Sequence, residues 1–151
     1  MGGLVIRRGE SDDFQGAWQI VSEYYEAVGV VAREDPAEFR AHYFGEGAGV
    51  WLARDGGEIV GCIALRPLDA VPGAGEVKRL YVKPEARGRG AAGLLLDALH
   101  RYARDAGYTT LYLDSKDDLT DALRFYRKRG YRLCERYNDN PQATVFMKLA
   151  L

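Results

Sequence analysis

The chain has 151 residues, 47% hydrophobic and 28% charged, with 18 glycines, 5 prolines and a formal net charge of −1. That length suits one domain with one substantial core, and the balance of apolar and charged residues excludes disordered, collagen-like and coiled-coil chains. No apolar run reaches the ~20 residues of a membrane span, and Met1–Arg8 lacks the hydrophobic stretch of a signal peptide. Two cysteines, Cys62 and Cys134, make no disulfide framework, and with only two histidines a metal site is not expected. The expectation is one continuous domain over residues 1–151 in a reduced, cytoplasmic setting.

The small net charge hides an uneven distribution. Glu10 to Glu46 holds nine acids against Arg33 and Arg40, whereas Val77 to Gly90 holds five bases against Glu85 and Arg124 to Arg136 six against Glu135. Such asymmetry suits a molecule with one part facing an anion and another facing a cation, and it also suits the solvated faces of helices.

Leu4–Arg8 reads as a short strand. Ser11 suits the N-cap of a helix on which Phe14, Trp18, Val21 and Tyr25 recur at helical spacing. Asp35-Pro36-Ala37-Glu38 starts a second helix, with Asp at the N-cap, Pro at the first helical position and an acid at the third. Val50–Arg54 and Glu58–Arg66 are strands joined by Asp55-Gly56-Gly57, a hairpin signal. Pro67–Gly75 is a loop, and Glu76–Val82 a strand ended by Pro84. Gly90–Asp105 is a long helix stopped by Gly107, Leu111–Asp114 a short strand, and Asp118–Arg129 a helix stopped by Gly130. Tyr131–Tyr137 and Thr144–Leu149 close the chain as strands around Asn138-Asp139-Asn140-Pro141, and both cysteines read as buried strand residues. The order is β-α-α-β-β-β-α-β-α-β-β, a mixed α/β (α+β) arrangement in which the strands near Tyr81 and Tyr112 become locally parallel.

The richest segment runs from Val77 to Gly93, where a strand enters a Gly/Arg turn that opens a helix. Gly88 and Gly90 have no Cβ, so a ligand can approach the main chain, and the free N–H groups of the first helical turn form an anion site suited to pyrophosphate. Arg87 and Arg89 add charge-assisted donors. Gly88-Arg89-Gly90-Ala91-Ala92-Gly93 also satisfies the dinucleotide pattern GxGxxG, with Asp114 near the place of a ribose-binding acid. Against that reading, five residues separate the strand from the first glycine and no second βαβαβ half follows. No Gly-Lys-Ser/Thr follows the turn, which excludes a P-loop.

Arg87-Gly88-Arg89-Gly90-Ala91-Ala92, led in by Leu80-Tyr81-Val82-Lys83-Pro84, resembles the first signature of the GCN5-related N-acetyltransferase (GNAT) superfamily. Ala122-Leu123-Arg124-Phe125-Tyr126-Arg127-Lys128-Arg129-Gly130-Tyr131 is similar to its second signature, in the expected order and at the expected separation. The element order resembles that fold too, so the likeness covers nearly the whole chain and implies a twisted, mostly antiparallel sheet, parallel at the cofactor cleft and flanked by about four helices. The ending Arg136 to Pro141 looks like a variant found among bacterial members of unassigned substrate.

The resemblance implies an acetyl-CoA-dependent N-acetyltransferase, transferring directly to a primary amine. It implies that Arg87, Gly88, Arg89, Gly90, Ala91 and Ala92 hold the coenzyme A pyrophosphate. Leu80, Tyr81 and Val82 then line the pantetheine arm, with the Val82 N–H polarising the thioester carbonyl. Tyr126 is the candidate general acid, because the departing thiolate takes a proton that a positioned phenol can give. Its bland reading is amphipathic helix packing. Glu76 is the candidate general base, with Asp114 or solvent as the alternative. Lys128 and Arg129, which follow Tyr126, are expected near the nucleotide phosphates, and helix C-terminal bases that favour the dipole explain them equally well. Tyr24, Tyr25, Tyr137, Asn138 and Asp139 are placed near the acceptor, where the acidic excess of the first helices suits a small cationic amine, an amino acid or sugar, or a peptide amine. A non-catalytic acyl-CoA-binding regulatory module is the alternative. Neither nucleic acid nor membrane is an expected partner, and a homodimer is compatible with the reading.

Overall fold

The computed structural model describes residues 3–30 and 33–151. It contains strands β1 (Val5–Arg8), β2 (Gly49–Asp55), β3 (Glu58–Pro67), β4 (Ala74–Val82), β5 (Thr110–Ser115), β6 (Arg132–Leu133) and β7 (Val145–Ala150). The helices are α1 (Phe14–Val28), α2 (Pro36–Tyr43), α3 (Ala91–Asp105) and α4 (Thr120–Lys128). The strands form one sheet in the order β1-β2-β3-β4-β5-β7-β6, antiparallel throughout except between β4 and β5.

Strand alternation gives the sheet two faces. Ile63 and Leu65 of β3, Val77 of β4, Leu111 and Leu113 of β5 and Met147 of β7 join a core with Leu95, Leu96 and Leu99 of α3 and Leu123 and Tyr126 of α4. Each of the three buried α3 leucines contributes about 1.5–3 kcal/mol by leaving water. Val50, Leu52, Cys62 and Ala64 point the other way and pack with Ala17, Ile20, Val21 and Tyr25 of α1 and Phe39 and Tyr43 of α2. On that second face, beyond β4, no helix of the described residues joins the buried cluster. There the chain after β6 folds over the sheet, with Tyr137 stacked on Tyr112 at 5.0 Å and on Phe146 at 5.6 Å.

Several expected boundaries move. The first helix is entered through a 3-10 turn over Ser11–Asp13, and Glu10 rather than Ser11 sits at the cap, in a reciprocal box with Asp13. Asp35 does cap α2: its side chain accepts the Glu38 N–H at 2.8 Å and Glu38 accepts the Asp35 N–H at 3.0 Å. The loop expected over Pro67–Gly75 is shorter, because β3 runs through Pro67 and β4 begins at Ala74. Of the strand expected over Tyr131–Tyr137, only Arg132–Leu133 pairs with β7. Cys134 lies outside the strand and is half-buried, while Cys62 is buried. The chain leaves the sheet because side chains outbid the ladder: Tyr137 and Asn138 bond to carboxylates on β4 and β5, and Arg136 donates to the carbonyls of Asn138, Asn140 and Ala143.

Candidate active site

β4 and β5 pair only from Ala74↔Thr110 to Glu76↔Tyr112, yet β4 continues to Val82 and β5 to Ser115. Past Glu76 the strands part, and a cleft of about 980 Å³ opens between them. The Lys83 N–H donates to the Val60 carbonyl at 2.8 Å, so strand alternation turns the amide groups of Val82 toward the unpaired side. There the Val82 carbonyl accepts from Arg87 Nε at 2.9 Å. Leu80, Tyr81 and Val82 all line the cleft.

At one end the chain turns through Arg87–Gly90 into α3. Gly88 and Gly90 have φ of 85° and 79°, and no heavy atom lies within 4 Å of where their Cβ atoms would stand. Both therefore hold a left-handed backbone that leaves open space above the turn. The first bond of α3 runs from the Leu94 N–H to the Gly90 carbonyl at 3.1 Å, which leaves the N–H groups of Ala91, Ala92 and Gly93 without helical partners. Arg87, Gly88, Gly90, Ala91 and Ala92 line the cleft. Arg89 does not: it is exposed and donates to Asp55 at 2.7 Å on the β2–β3 hairpin. Lys128 is exposed and also lies off the cleft, whereas Arg129 lines it, bonded to Asp97 at 2.5 Å and to the Gly93 carbonyl at 3.4 Å. A Cβ on Gly93 would collide with Arg129 Nη2, so the bare glycine is what admits this arginine. Helical spacing separates the two bases expected near the phosphates: Arg129 lies three residues after Tyr126, on the same face, and Lys128 only two.

Tyr126 reaches the cleft from α4, packed against Phe125 at 5.5 Å and Tyr131 at 5.6 Å. Its hydroxyl makes no hydrogen bond to any described residue, and burial pushes its pKa above the ordinary phenol value. The phenol therefore keeps its proton at neutral pH and has it available for a ligand.

Beyond the apex of the splay lies a network of paired charges. Glu76 is buried and does not itself line the cleft. Its Oε1 accepts from Arg66 at 3.2 Å, and its Oε2 from the Tyr137 hydroxyl at 2.8 Å and Asn138 at 3.1 Å, with Lys78 Nζ at 3.6 Å. Asp114 does line the cleft, and accepts from Lys78 at 3.3 Å, Asn138 at 2.7 Å and Asn140 at 3.3 Å. Burial opposes its charge, but Lys78 and the two amides outweigh that and hold its pKa below the usual carboxylate value. Lys78 and Asn138 each span the parted strands and bond to both carboxylates.

The third carboxylate is Glu34, between α1 and α2. It receives Arg79 and the Tyr25 hydroxyl, both at 3.0 Å, a short contact from His42, and Arg66 at 3.9 Å. Burial opposes its ionisation, and Arg79 and the bonds from its neighbours lower its pKa all the same. Arg79 stands in a β-bulge opposite Ile63 with φ of 61°, the one positive-φ residue other than glycine among the described residues. The extra residue lets Lys78 and Tyr81 both face the α1 side. Tyr24, Asn138 and Asp139 line the cleft; Tyr25 and Tyr137 sit behind it, bonded to Glu34 and Glu76. None of the nine acids between Glu10 and Glu46 lines the cleft; the acids that do are Asp114, Asp118, Asp121 and Asp139. Sequence reasoning missed Arg66, Lys78 and Arg79, which no motif marks and only the strand register assembles.

The sequence pattern of the acetyltransferase (GNAT) family matches residues 13–131. The chain belongs to this family. An uncharacterized N-acetyltransferase from Schizosaccharomyces pombe is 35% identical over 147 residues, covering 93% of this chain and 88% of that one. Rat N-acetyltransferase relatives align too, and the chain spans about half their length. A GNAT acetyltransferase structure from Staphylococcus aureus superposes with a TM-score of 0.84 at 19% identity over 98% of this chain and 99% of that one. A Thermoplasma acidophilum N-acetyltransferase crystallised with coenzyme A gives 0.76 at 16% identity, covering 99% and 100%. The chain is thus an N-acetyltransferase of the acyl-CoA-dependent GNAT type, and no helix among its described residues is long and apolar enough to cross a membrane.

Proposed function

We propose that the chain transfers an acetyl group from acetyl-CoA directly to a primary amine, both substrates being bound together in the cleft. The observation that carries this reading is the continuity of the unpaired β4 edge with the Arg87–Gly90 turn and the free amides that open α3. An extended arm can take the place of the missing strand beside Leu80–Val82, while its phosphates meet the amides of Ala91–Gly93 and the Arg87 and Arg129 guanidiniums. The Gly88 and Gly90 backbone leaves room for that approach.

In the transfer, the acceptor nitrogen bonds to the acetyl carbon as the carbon–sulfur bond breaks. The acceptor's ammonium first gives a proton to a carboxylate, directly or through water. Glu76 is the base in this reading, acting through the polar groups in front of it, and Asp114 faces the cleft as the alternative. The departing sulfur takes its proton from the Tyr126 hydroxyl, and the second proton that the acceptor nitrogen loses on becoming an amide returns to the Tyr126 oxygen. The Val82 N–H supports the reading of an oxyanion donor because it points to the unpaired side. No cysteine lines the cleft among the described residues, so a direct transfer accounts for the chemistry without an acetyl-enzyme.

Calorimetry with coenzyme A, followed by thiol release from acetyl-CoA with a panel of amines, tests the reading. Micromolar binding and amine-dependent release are the expected results. Binding without release by any amine would instead leave the acyl-CoA-binding regulatory module.

A further inference from the structure

The acceptor end of the cleft has two walls of opposite sign. From β3 and β4 come the guanidiniums of Arg66 and Arg79, held close together because both reach Glu34, Arg66 at 3.9 Å and Arg79 at 3.0 Å. Their carboxylate partners, Glu34 and Glu76, do not line the cleft, whereas both arginines do. A ligand there therefore meets the cations first. Arg66 donates through Nε to Glu76 and turns Nη1 toward Glu34 at 3.9 Å, which leaves Nη2 without an acceptor among the described residues, and its side chain is 30% exposed. From β5 comes Asp114, the one member of the three-carboxylate network that lines the cleft; Lys78, 3.3 Å from it, lines the cleft too, and Asp139 adds a second carboxylate from the chain after β6. The third side is α1, which presents Tyr24, Ala27 and Val28 and no charge.

A polyamine or other dication fits this arrangement poorly, because its second ammonium would face Arg66 and Arg79. A simple monoamine leaves the guanidinium wall unmatched. An acceptor carrying a carboxylate beside its amine satisfies both walls at once, by charge-assisted bonds to the arginines and an ion pair with Asp114. The uncharged α1 side suits a neutral substituent. We propose that the acceptor is a zwitterion of the α-amino acid class with an uncharged side chain, its carboxylate held by Arg66 and Arg79 and its amine at Asp114. This rests on the donor reading above, and the test separates the two.

Coenzyme A affinity is measured first by calorimetry. Thiol release is then followed with matched acceptors: an uncharged α-amino acid, its carboxamide, the corresponding decarboxylated amine, and a diamine. The expected result is a kcat/KM for the free acid about tenfold or more above that of the amide and the amine, with the diamine poorest. In Arg66→Gln the acid-to-amide ratio should fall to about one, and in Arg66→Lys it should remain above one. Equal turnover of acid and amide by the wild-type protein, or preference for the diamine, would overturn the proposal, as would a ratio that Arg66→Gln leaves unchanged. Because the wild-type comparison needs no variant, a poorly folded Arg66→Gln protein would still leave the proposal open to refutation. Absence of coenzyme A binding would be a failure of the donor reading instead.

Discussion

At the scale of single residues, Tyr126 and Glu76 illustrate how burial and bonding divide the work. Both are shielded from solvent, but the Tyr126 hydroxyl has no described partner while Glu76 has four. Tyr126→Phe removes one oxygen and no hydrogen bond, so the helix and its packing on Tyr131 should survive. Turnover is expected to fall about 100-fold with coenzyme A affinity unchanged; steady-state kinetics beside calorimetry would show this, and an unaltered kcat would remove the phenol from the mechanism. Glu76→Gln is a different experiment. It leaves Arg66 and Lys78 facing a neutral amide, and the loss of a buried charge pair costs on the order of 3 kcal/mol. Denaturant titration should show that loss, and rate measurements on the folded fraction separate a proton-accepting role from a purely structural one.

Among the elements, β4 and the turn that follows are where sequence and structure agree and where they part. The Gly/Arg turn was legible because glycine at positive φ and an open helix start leave a local signature that needs no tertiary knowledge. Arg87 takes its place by bonding the Val82 carbonyl, and Arg129 by crossing from α4 to the glycine at position 93. Arg87→Glu should therefore abolish coenzyme A binding by placing an anion beside the amides of α3, while the thermal midpoint moves little because the residue is at the surface of the turn. Retained affinity would detach that turn from the donor site. The charge network was not legible. Which of the many arginines meet depends on the pairing of Arg66 with Glu76 and on the one-residue bulge at Arg79, and a shift of one position would send each to the opposite face. The same holds for Tyr137 and Asn138, where β-like composition gave way to side-chain bonds with partners more than twenty residues away.

Across the whole molecule, the order of strands and helices followed from apolar periodicity and turn residues, since each is set within a few neighbouring positions. What periodicity does not carry is the chemistry of an isolated polar residue in the core. His100 lies on the buried face of α3, its Nε2 at 2.9 Å from the Tyr131 hydroxyl. Burial, reinforced by Arg104, lowers its pKa from 6.5 to about 4. The folded protein thus keeps His100 neutral over a range in which the unfolded chain protonates it. Stability is full above pH 6.5 and declines as the pH falls toward 4, because there the unfolded state binds more protons. Between pH 7.5 and 5 this one group should lower the unfolding free energy by about 2 kcal/mol, at 1.36 kcal/mol per unit of pKa difference. The depressed carboxylates Glu34 and Asp114 contribute at lower pH, and a His100 variant separates this histidine from the other groups. Denaturant unfolding at a series of pH values should reveal the slope, and His100→Gln, which can still bond Tyr131 but cannot titrate, should flatten it. A wild-type curve that stays level from pH 7.5 to 5 would mean that the fold opens far enough to solvate His100 without losing its packing.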